Sequence, residues 1–242
     1  MHPLLARLRP AWLGHTPSCL LCHAPGSDLP ICTGCETELP WLGGRCAICA
    51  IPLPTVGLPC GDCLKRPPSF DRVEVPWRYA FPVDSLITRF KHQGRWPLGR
   101  LLGELFARHL DHAFSEDLPR PHALLPVPLA APRLRLRGFN QAQMLARWLC
   151  DELQIPLQTD WLQRVEDGPS QQGLDAAARR RNLRRAFALD ERAELRGLHL
   201  ALVDDVLTTG TTAHFLARLL KRGGAARVDI YCLARTPRPG DS

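Results

Sequence analysis

The sequence predicts an α/β protein in which a mostly parallel sheet with flanking helices follows a small cysteine-rich module. Three observations predict this architecture. Four CxxC pairs fall before residue 66. An apolar run at 198–203 leads through a loop of glycine and threonine into a helical pattern at 213–220. The apolar run 227–234 then predicts a final strand, and strands that alternate with helices are typical of a parallel sheet.

The cysteine-rich module contains eight of the ten cysteines. Two CxxC pairs together complete a tetrahedral zinc site, so four pairs predict two structural Zn²⁺ ions without an open position for catalysis. A disulfide framework would need an oxidising compartment, and a thioredoxin-type redox motif would not occur four times. The spacings fit both sequential ribbons and a cross-braced, RING-like module, and we favour the sequential pairing. One ion then takes Cys19, Cys22, Cys32 and Cys35, and the other takes Cys46, Cys49, Cys60 and Cys63.

The domain organisation follows from these cysteines and from a proline-containing boundary near residue 66. We predict a double zinc-ribbon module at 15–66 and a second domain at 70–240. So short a module needs metal to fold, and we therefore expect zinc removal to unfold it while the rest stays folded.

Charge and hydropathy exclude some classes of protein. The net charge is +7 and only three residues are lysine, so the basic charge is almost entirely arginine, which suits phosphate recognition. Every hydrophobic run is broken by charge or proline, which argues against membrane insertion. The first ten residues lack the apolar core of a signal peptide, so we expect a cytoplasmic protein.

The segments after the module alternate between strand and helix patterns. The run 70–79 predicts a strand or a hairpin arm, and 82–91 has helical spacing. Pro97 stands at a favoured first helical position. The run 123–128 predicts a short strand broken by prolines, and a helix is expected from about 140 to 153.

An arginine-rich stretch precedes that last helix. Alternating arginines end at Arg137 and are followed by Gly138, which allows close backbone approach, and by the amides of Asn140 and Gln141. Guanidinium groups before a helix suit a pyrophosphate, although an exposed basic loop is the alternative. Lys91 either reaches a phosphate or is a solvated turn residue.

A lid and a second arginine cluster follow. The segment 164–174 has no helical or strand period and predicts a flexible loop or lid. Asp175 then caps a predicted helix with five arginines at 179–185, whose mutual repulsion calls for an anion nearby. The run 187–189 predicts a short strand.

The most informative motif is Asp204-Asp205 followed by the threonine-rich loop 208–212. A strand, a loop of this kind and a helix N-terminus form a cradle for a phosphate. The loop has no lysine, which excludes the P-loop of nucleoside-triphosphate-binding proteins. It also lacks GxGxxG, which excludes the loop of dinucleotide-binding proteins. Two acids before a phosphate cradle indicate a sugar phosphate with a divalent metal nearby.

This motif resembles the binding motif for phosphoribosyl pyrophosphate (PRPP) in type I phosphoribosyltransferases. Together with the cysteine-rich module and the run 137–141, it resembles the ComF/GntX family over nearly the whole chain. The family's lid segment is matched at Arg164, Gln171, Leu174, Arg179, Asn182 and Phe187.

The resemblance implies a phosphoribosyltransferase-type domain that binds PRPP with Mg²⁺ and transfers phosphoribose to an acceptor that the sequence does not identify. It places Asp204 and Asp205 at the ribose hydroxyls or a metal-bound water. It implies a role in natural competence and DNA uptake. The 5′-phosphate residues are then Thr208, Thr209, Gly210, Thr211 and Thr212, the pyrophosphate residues are Arg137 and Gly138, and the lid residues are Arg164, Gln171, Arg179 and Asn182.

The alternative hypothesis is a non-catalytic factor that retains the PRPP-binding fold. The zinc ribbons and the arginines of 133–147 and 179–185 would then contact single-stranded DNA or a competence helicase. Residues 1–66 are nearly neutral, so the zinc module suits protein contacts or scaffolding better than phosphate.

Overall fold

A computed structural model of the chain describes residues 17–165 and 186–238. The predicted lid residues Gln171, Arg179 and Asn182 lie outside the described residues, as does the predicted arginine-rich helix. The chain divides into two compact units, Met1–Glu38 and Leu39–Ser242. This division falls inside the module predicted at 15–66, and the limits of that module remain a prediction.

The smaller unit is built around the first four cysteines. Its one described helix is α1 (Thr33–Thr37), which Cys32 caps by accepting a hydrogen bond from the Cys35 backbone N–H. Leu29 and Ile31 of this unit are buried. Two apolar side chains form too small a core for a stable fold, so the cysteines must supply most of the cross-linking.

The larger unit contains a five-stranded sheet and a separate two-stranded one. The strands are β1 (Arg72–Glu74), β2 (Trp77–Arg78), β3 (Ala123–Pro126), β4 (Leu162–Arg164), β5 (Phe187–Leu189), β6 (His199–Leu207) and β7 (Arg227–Arg235). In the five-stranded sheet the order is β1, β7, β6, β3, with β2 also paired to β7, and every pairing is parallel. The two-stranded sheet pairs β4 with β5 in antiparallel fashion.

Six described helices belong to the larger unit. Their apolar residues recur at helical spacing, as on Val83, Leu86, Ile87 and Phe90 of the first long helix, all of which are buried. The helices are α2 (Gly61–Lys65), α3 (Val83–Gln93), α4 (Trp96–Ser115), α5 (Ala131–Arg137), α6 (Gln141–Leu153) and α7 (Thr211–Arg222).

The helices cover both faces of the parallel sheet. On one face, Leu216 and Leu220 of α7 pack with Leu202 and Ile230 of the central strands. On the other face, the ring of Phe106 in α4 packs edge-on against the ring of Tyr231 in β7, with ring centroids 6.2 Å apart. The side chains of β6 and β7 are therefore buried on both faces, as expected of a central parallel sheet. The predicted parallel sheet with flanking helices is confirmed.

Three local predictions differ from the structure. The run 70–79 is not a hairpin arm, because β1 and β2 both run parallel to β7. Strand β6 does not end with the apolar run at 203 but continues through both aspartates to Leu207. The arginine stretch before α6 is not a loop but the short helix α5, which ends at Gly138 in the left-handed conformation (φ 81°). Among the described residues, no helix has the length and apolarity needed to cross a membrane.

Candidate functional site

The loop between β6 and α7 forms the centre of the candidate site. Pairing with β7 continues to Leu207, so the turn is confined to Thr208, Thr209 and Gly210. Gly210 is the N-cap of α7 at φ 73°, a conformation that L side chains rarely adopt, which explains a glycine here. The Thr209 and Thr211 hydroxyls lie 2.9 Å apart, and both side chains are exposed. Hydroxyl groups and the first N–H groups of α7 thus meet at one end of the sheet.

Two acidic residues stand just before this loop. Asp204 is half-buried and Asp205 is buried, and both belong to β6. The Lys91 ammonium, at the end of α3, lies 2.6 Å from an Asp205 carboxylate oxygen. The Gln141 side chain, at the start of α6, lies close enough to Asp205 to lower the pKa of that carboxyl group. Arg137 in turn donates to the Gln141 side-chain oxygen. A continuous polar network therefore joins α3, β6, α6 and α5.

The two adjacent carboxyl groups have opposite pKa shifts. Burial, followed by the negative charge of Asp205, raises the pKa of Asp204 well above its usual value. Burial also acts to raise the pKa of Asp205, but the Lys91 ammonium and hydrogen bonds from Asp204 and Gln141 outweigh it, and the pKa is lowered. Asp205 is thus kept ionised, while Asp204 holds its proton more readily. Strongly shifted pKa values of this kind cluster at functional sites.

The predicted pyrophosphate residues lie at the end of α5. Arg137 is half-buried, and burial acts first to lower its pKa, although the Asp205 carboxylate opposes that effect. A Cβ added at Gly138 would meet nothing within 4 Å, so its backbone faces open space. The Asn140 amide does not face this space: it caps α6 by accepting from Ala142 and donates to the Val127 carbonyl. Its predicted role as a donor to a ligand is thus replaced by a structural one.

Of the predicted lid residues, the structure describes Arg164. It ends β4, and its guanidinium carbon lies 5.1 Å from the centre of the Phe187 ring on β5. The two strands form the separate small sheet that flanks the undescribed segment 166–185.

The cysteines form two groups of four, in the sequential arrangement. Within each group the sulfur atoms lie within 4.8 Å of one another. Tetrahedral zinc with Zn–S distances near 2.3 Å places its sulfurs about 3.8 Å apart. The Cys22–Cys32 sulfur distance is 3.6 Å and the Cys49–Cys60 distance is 3.8 Å. Both donor sets therefore fit Zn²⁺.

Backbone N–H groups point at the sulfurs in the way expected of metal-binding knuckles. The Cys46 sulfur accepts from the N–H of Cys60 at 3.1 Å and from that of Ile48 at 3.4 Å. Burial acts to raise the pKa of Cys46, but hydrogen bonds from the backbone of Cys49, Cys60 and Ile48 outweigh it and lower the pKa to about 7. A thiol with such a pKa is readily available as the thiolate that a metal requires.

The second four-cysteine group and the loop at 208–210 share a cavity of about 810 Å³. Cys49 and Cys60 line one side of it, Thr208 and Thr211 line another, and Phe70 contributes an apolar wall. The group therefore lies next to the candidate phosphate-binding loop within the larger unit.

The structure brings together predicted residues from distant parts of the chain. Asp205 and Arg137 share the network described above, and Gly210 begins the helix that follows the acids. Sequence reasoning left Lys91 undecided and gave it no contact with an acid. The available signal was its position in the last turn of a predicted helix, which does not reveal what the turn faces.

Comparison with known proteins identifies the family. The family model for the phosphoribosyl transferase domain matches residues 138–241. The DNA utilization protein YhgH of Salmonella typhi is 36% identical over 221 residues, which cover 90% of this chain and 96% of that protein. Competence protein F of Haemophilus influenzae is 36% identical over 207 residues, covering 85% of this chain and 90% of that protein. Competence protein ComFC of Bacillus subtilis is 28% identical over 244 aligned positions, covering 92% of this chain and 96% of that protein.

These similarities extend over the cysteine-rich part and the parallel sheet alike. Because relatives above 30% identity align with most of both chains, the resemblance first seen in separate motifs becomes a family assignment. The chain belongs to the ComF family and combines a phosphoribosyltransferase-type domain with two four-cysteine groups.

Proposed function

We propose that the protein binds PRPP and transfers its phosphoribosyl group to an acceptor. The observation that carries this proposal is the meeting of a threonine-lined helix N-terminus with the Lys91–Asp205–Gln141–Arg137 network at one end of the sheet. The phosphoribosyltransferase-type domain is consistent with PRPP as the ligand. An anionic sugar diphosphate needs both a phosphate cradle and cations around its other end, and this arrangement offers both.

The loop at 208–212 would bind the 5′-phosphate. Thr208, Thr209 and Thr211 are exposed and carry hydroxyl donors. The helix α7 that begins there directs free N–H groups and the positive end of its dipole toward the loop. Gly210 permits the turn that brings these donors together.

The two acids would hold the ribose hydroxyls. Asp205 is the stronger acceptor because Lys91 keeps it ionised. Both carboxylates are oxygen donors of the kind that Mg²⁺ prefers, and the ion would supply charge neutralisation for the pyrophosphate when bound.

Arg137 and the open backbone at Gly138 would hold the pyrophosphate as it leaves. The bond between C1 of the ribose and the pyrophosphate oxygen breaks, the oxygen keeps the electron pair, and the acceptor forms the new bond to C1. Fixed positive groups near the departing oxygens stabilise the developing charge. We assign no general base among the described residues.

Calorimetric titration with PRPP and Mg²⁺ tests the proposal. We expect micromolar binding by the unmodified protein and a loss of about 100-fold or more in the Asp204→Asn/Asp205→Asn variant, because the charge-assisted acceptor Asp205 and a second carboxyl group are lost. Asp160→Asn, at an exposed position, is the matched control and should bind unchanged. Absence of PRPP binding by the unmodified protein would remove the enzyme hypothesis. Pyrophosphate release screened over nucleobases then identifies the acceptor.

We also infer that both four-cysteine groups hold structural zinc. The support is the fit of their sulfur geometry to a tetrahedral ion, with all four positions occupied by thiolates. Elemental analysis of freshly purified, reduced protein should find two zinc ions per chain. Protein without zinc would contradict the inference.

A second candidate function is DNA handling, which the names of two relatives favour: DNA utilization protein and competence protein. Arg133 and Arg135 of α5 are exposed, and they suit a phosphate backbone. We propose on this basis that the protein acts in competence, with or without catalysis. Salt-dependent binding of single-stranded DNA that survives Asp204→Asn/Asp205→Asn but is lost in Arg133→Gln/Arg135→Gln would support it. Equal binding by both variants would argue against α5 as the contact.

A further inference from the structure

Arg235, the last residue of β7, has an unusual set of partners. Its side chain is almost fully buried, with 6% of the residue exposed. One guanidinium nitrogen, Nη1, donates to the carbonyl oxygen of Leu207 at 3.0 Å and to that of Thr208. It also reaches the Thr236 carbonyl at 2.9 Å. The guanidinium thus holds the backbone at the point where β6 gives way to the threonine loop.

The other side of the same guanidinium faces the second four-cysteine group. Its Nε donates to the carbonyl oxygen of Cys49 at 3.0 Å, across 186 residues of sequence. Cys49 and its neighbour Ile48 also pack against the apolar core that contains Leu207. One buried cation therefore bridges a metal-binding knuckle and the start of the loop.

The charge of Arg235 needs a counter-charge. Among the ion pairs of the described residues, none includes Arg235, and its recorded side-chain partners are neutral carbonyls. Burying an unpaired cation is costly. Zn²⁺ with four thiolates carries a net charge of −2, and such a site at Cys46, Cys49, Cys60 and Cys63 would supply this counter-charge next to the Cys49 carbonyl.

We propose that Arg235 is a positioning residue that couples metal occupancy of the second four-cysteine group to the geometry of the loop at 208–211. With metal bound, the Cys49 carbonyl and the nearby negative charge hold the guanidinium, and the guanidinium holds the Leu207 and Thr208 carbonyls. Without metal, the knuckle loosens, and the loop loses its fixed support. The first four-cysteine group lies in the other compact unit and has no part in this coupling.

The consequence for ligand binding rests on the proposed function, because it assumes that this loop binds the 5′-phosphate. The effect on the loop itself does not depend on that assumption. Two measurements on the full-length protein therefore separate the two ideas: amide hydrogen exchange of the loop without ligand, and calorimetry with PRPP and Mg²⁺.

The test uses Arg235→Gln, with Arg192→Gln, at an exposed position between β5 and β6, as the control. We expect Arg235→Gln to keep both zinc ions, to speed exchange of the 207–212 amides by about tenfold or more, and to weaken PRPP binding by a similar factor, since charge-assisted hydrogen bonds of this size are lost. Arg192→Gln should change neither quantity. Arg235→Lys, which keeps the charge but not the fork of donors, should lie between the two.

A metal arm completes the test. Cys46→Ser, which impairs the second group, should speed loop exchange as Arg235→Gln does, whereas Cys19→Ser should not. Unchanged loop exchange in Arg235→Gln would overturn the proposal, as would equal acceleration by Arg192→Gln. If the unmodified protein does not bind PRPP, the proposed function fails, and the exchange data alone decide the role of Arg235.

Discussion

The two four-cysteine groups have the same ligands and nearly the same spacing, yet they differ in their surroundings. The first lies in a small unit with little apolar core of its own. The second is built into the larger unit: Ala50 is fully buried in the main core, Arg45 donates to Glu74 and Val75, and Arg235 donates to Cys49. Two identical four-cysteine motifs can thus support a local fold in one case and a whole domain in the other.

The largest expected effect comes from removing each group in turn. Cys46→Ser/Cys49→Ser should destabilise the whole larger unit, because its core includes residues of this knuckle. Cys19→Ser/Cys22→Ser should unfold only the smaller unit. This differs from the expectation that zinc loss would leave everything after residue 66 folded. Circular dichroism during urea unfolding, with zinc content measured alongside, checks this prediction. Equal loss of sheet signal in both variants would mean that the two groups do not differ in their importance for the larger unit.

A smaller effect is expected from the link between the second group and strand β1. Arg45→Met should lower the free energy of unfolding by about 2–3 kcal/mol, because fully buried Glu74 loses a charged partner while Arg72 remains. Lys221→Met, which removes a partly exposed pair with Asp71, is the control and should cost about 0–1 kcal/mol. Urea unfolding at fixed zinc concentration measures both. Similar losses for the two variants would mean that Arg45 stabilises the larger unit no more than a partly exposed ion pair does.

The smallest effect concerns the same buried cluster and its dependence on pH. Burial, followed by the positive charge of Arg45, lowers the pKa of His109 to about 4. The unfolded chain takes up this proton below about pH 6.5 and the folded chain only near pH 4, so stability is lost as the pH falls through that window.

Between about pH 7.5 and pH 5, His109 should therefore account for a loss of about 2 kcal/mol in the free energy of unfolding. Urea unfolding of the unmodified protein and of His109→Gln at both pH values isolates the contribution of His109, since the cysteines contribute equally to both proteins. A difference between the two proteins that does not change with pH would contradict the assignment.

Local patterns predicted much of the fold and part of the site. The CxxC spacing, the strand and loop before α7, and the apolar stripe of α3 each depend on neighbours in sequence. The contacts of Lys91 and Arg235 could not be predicted from local patterns, because their partners Asp205 and Cys49 are brought near only by the fold. Asn140 shows the opposite error: its amide suits a ligand, but it also suits the helix cap that it makes.

The two four-cysteine groups also differ in how soon a reagent can reach their sulfur atoms. Cys22 is exposed in the first group, whereas Cys46, Cys60 and Cys63 are buried in the second. A chelator, an alkylating reagent or an oxidant must reach a sulfur before the metal can leave, and it meets the first group sooner. With zinc bound to both groups as proposed, the small unit would release its ion early under oxidative stress, while the group beside the loop at 208–211 would exchange its ion slowly.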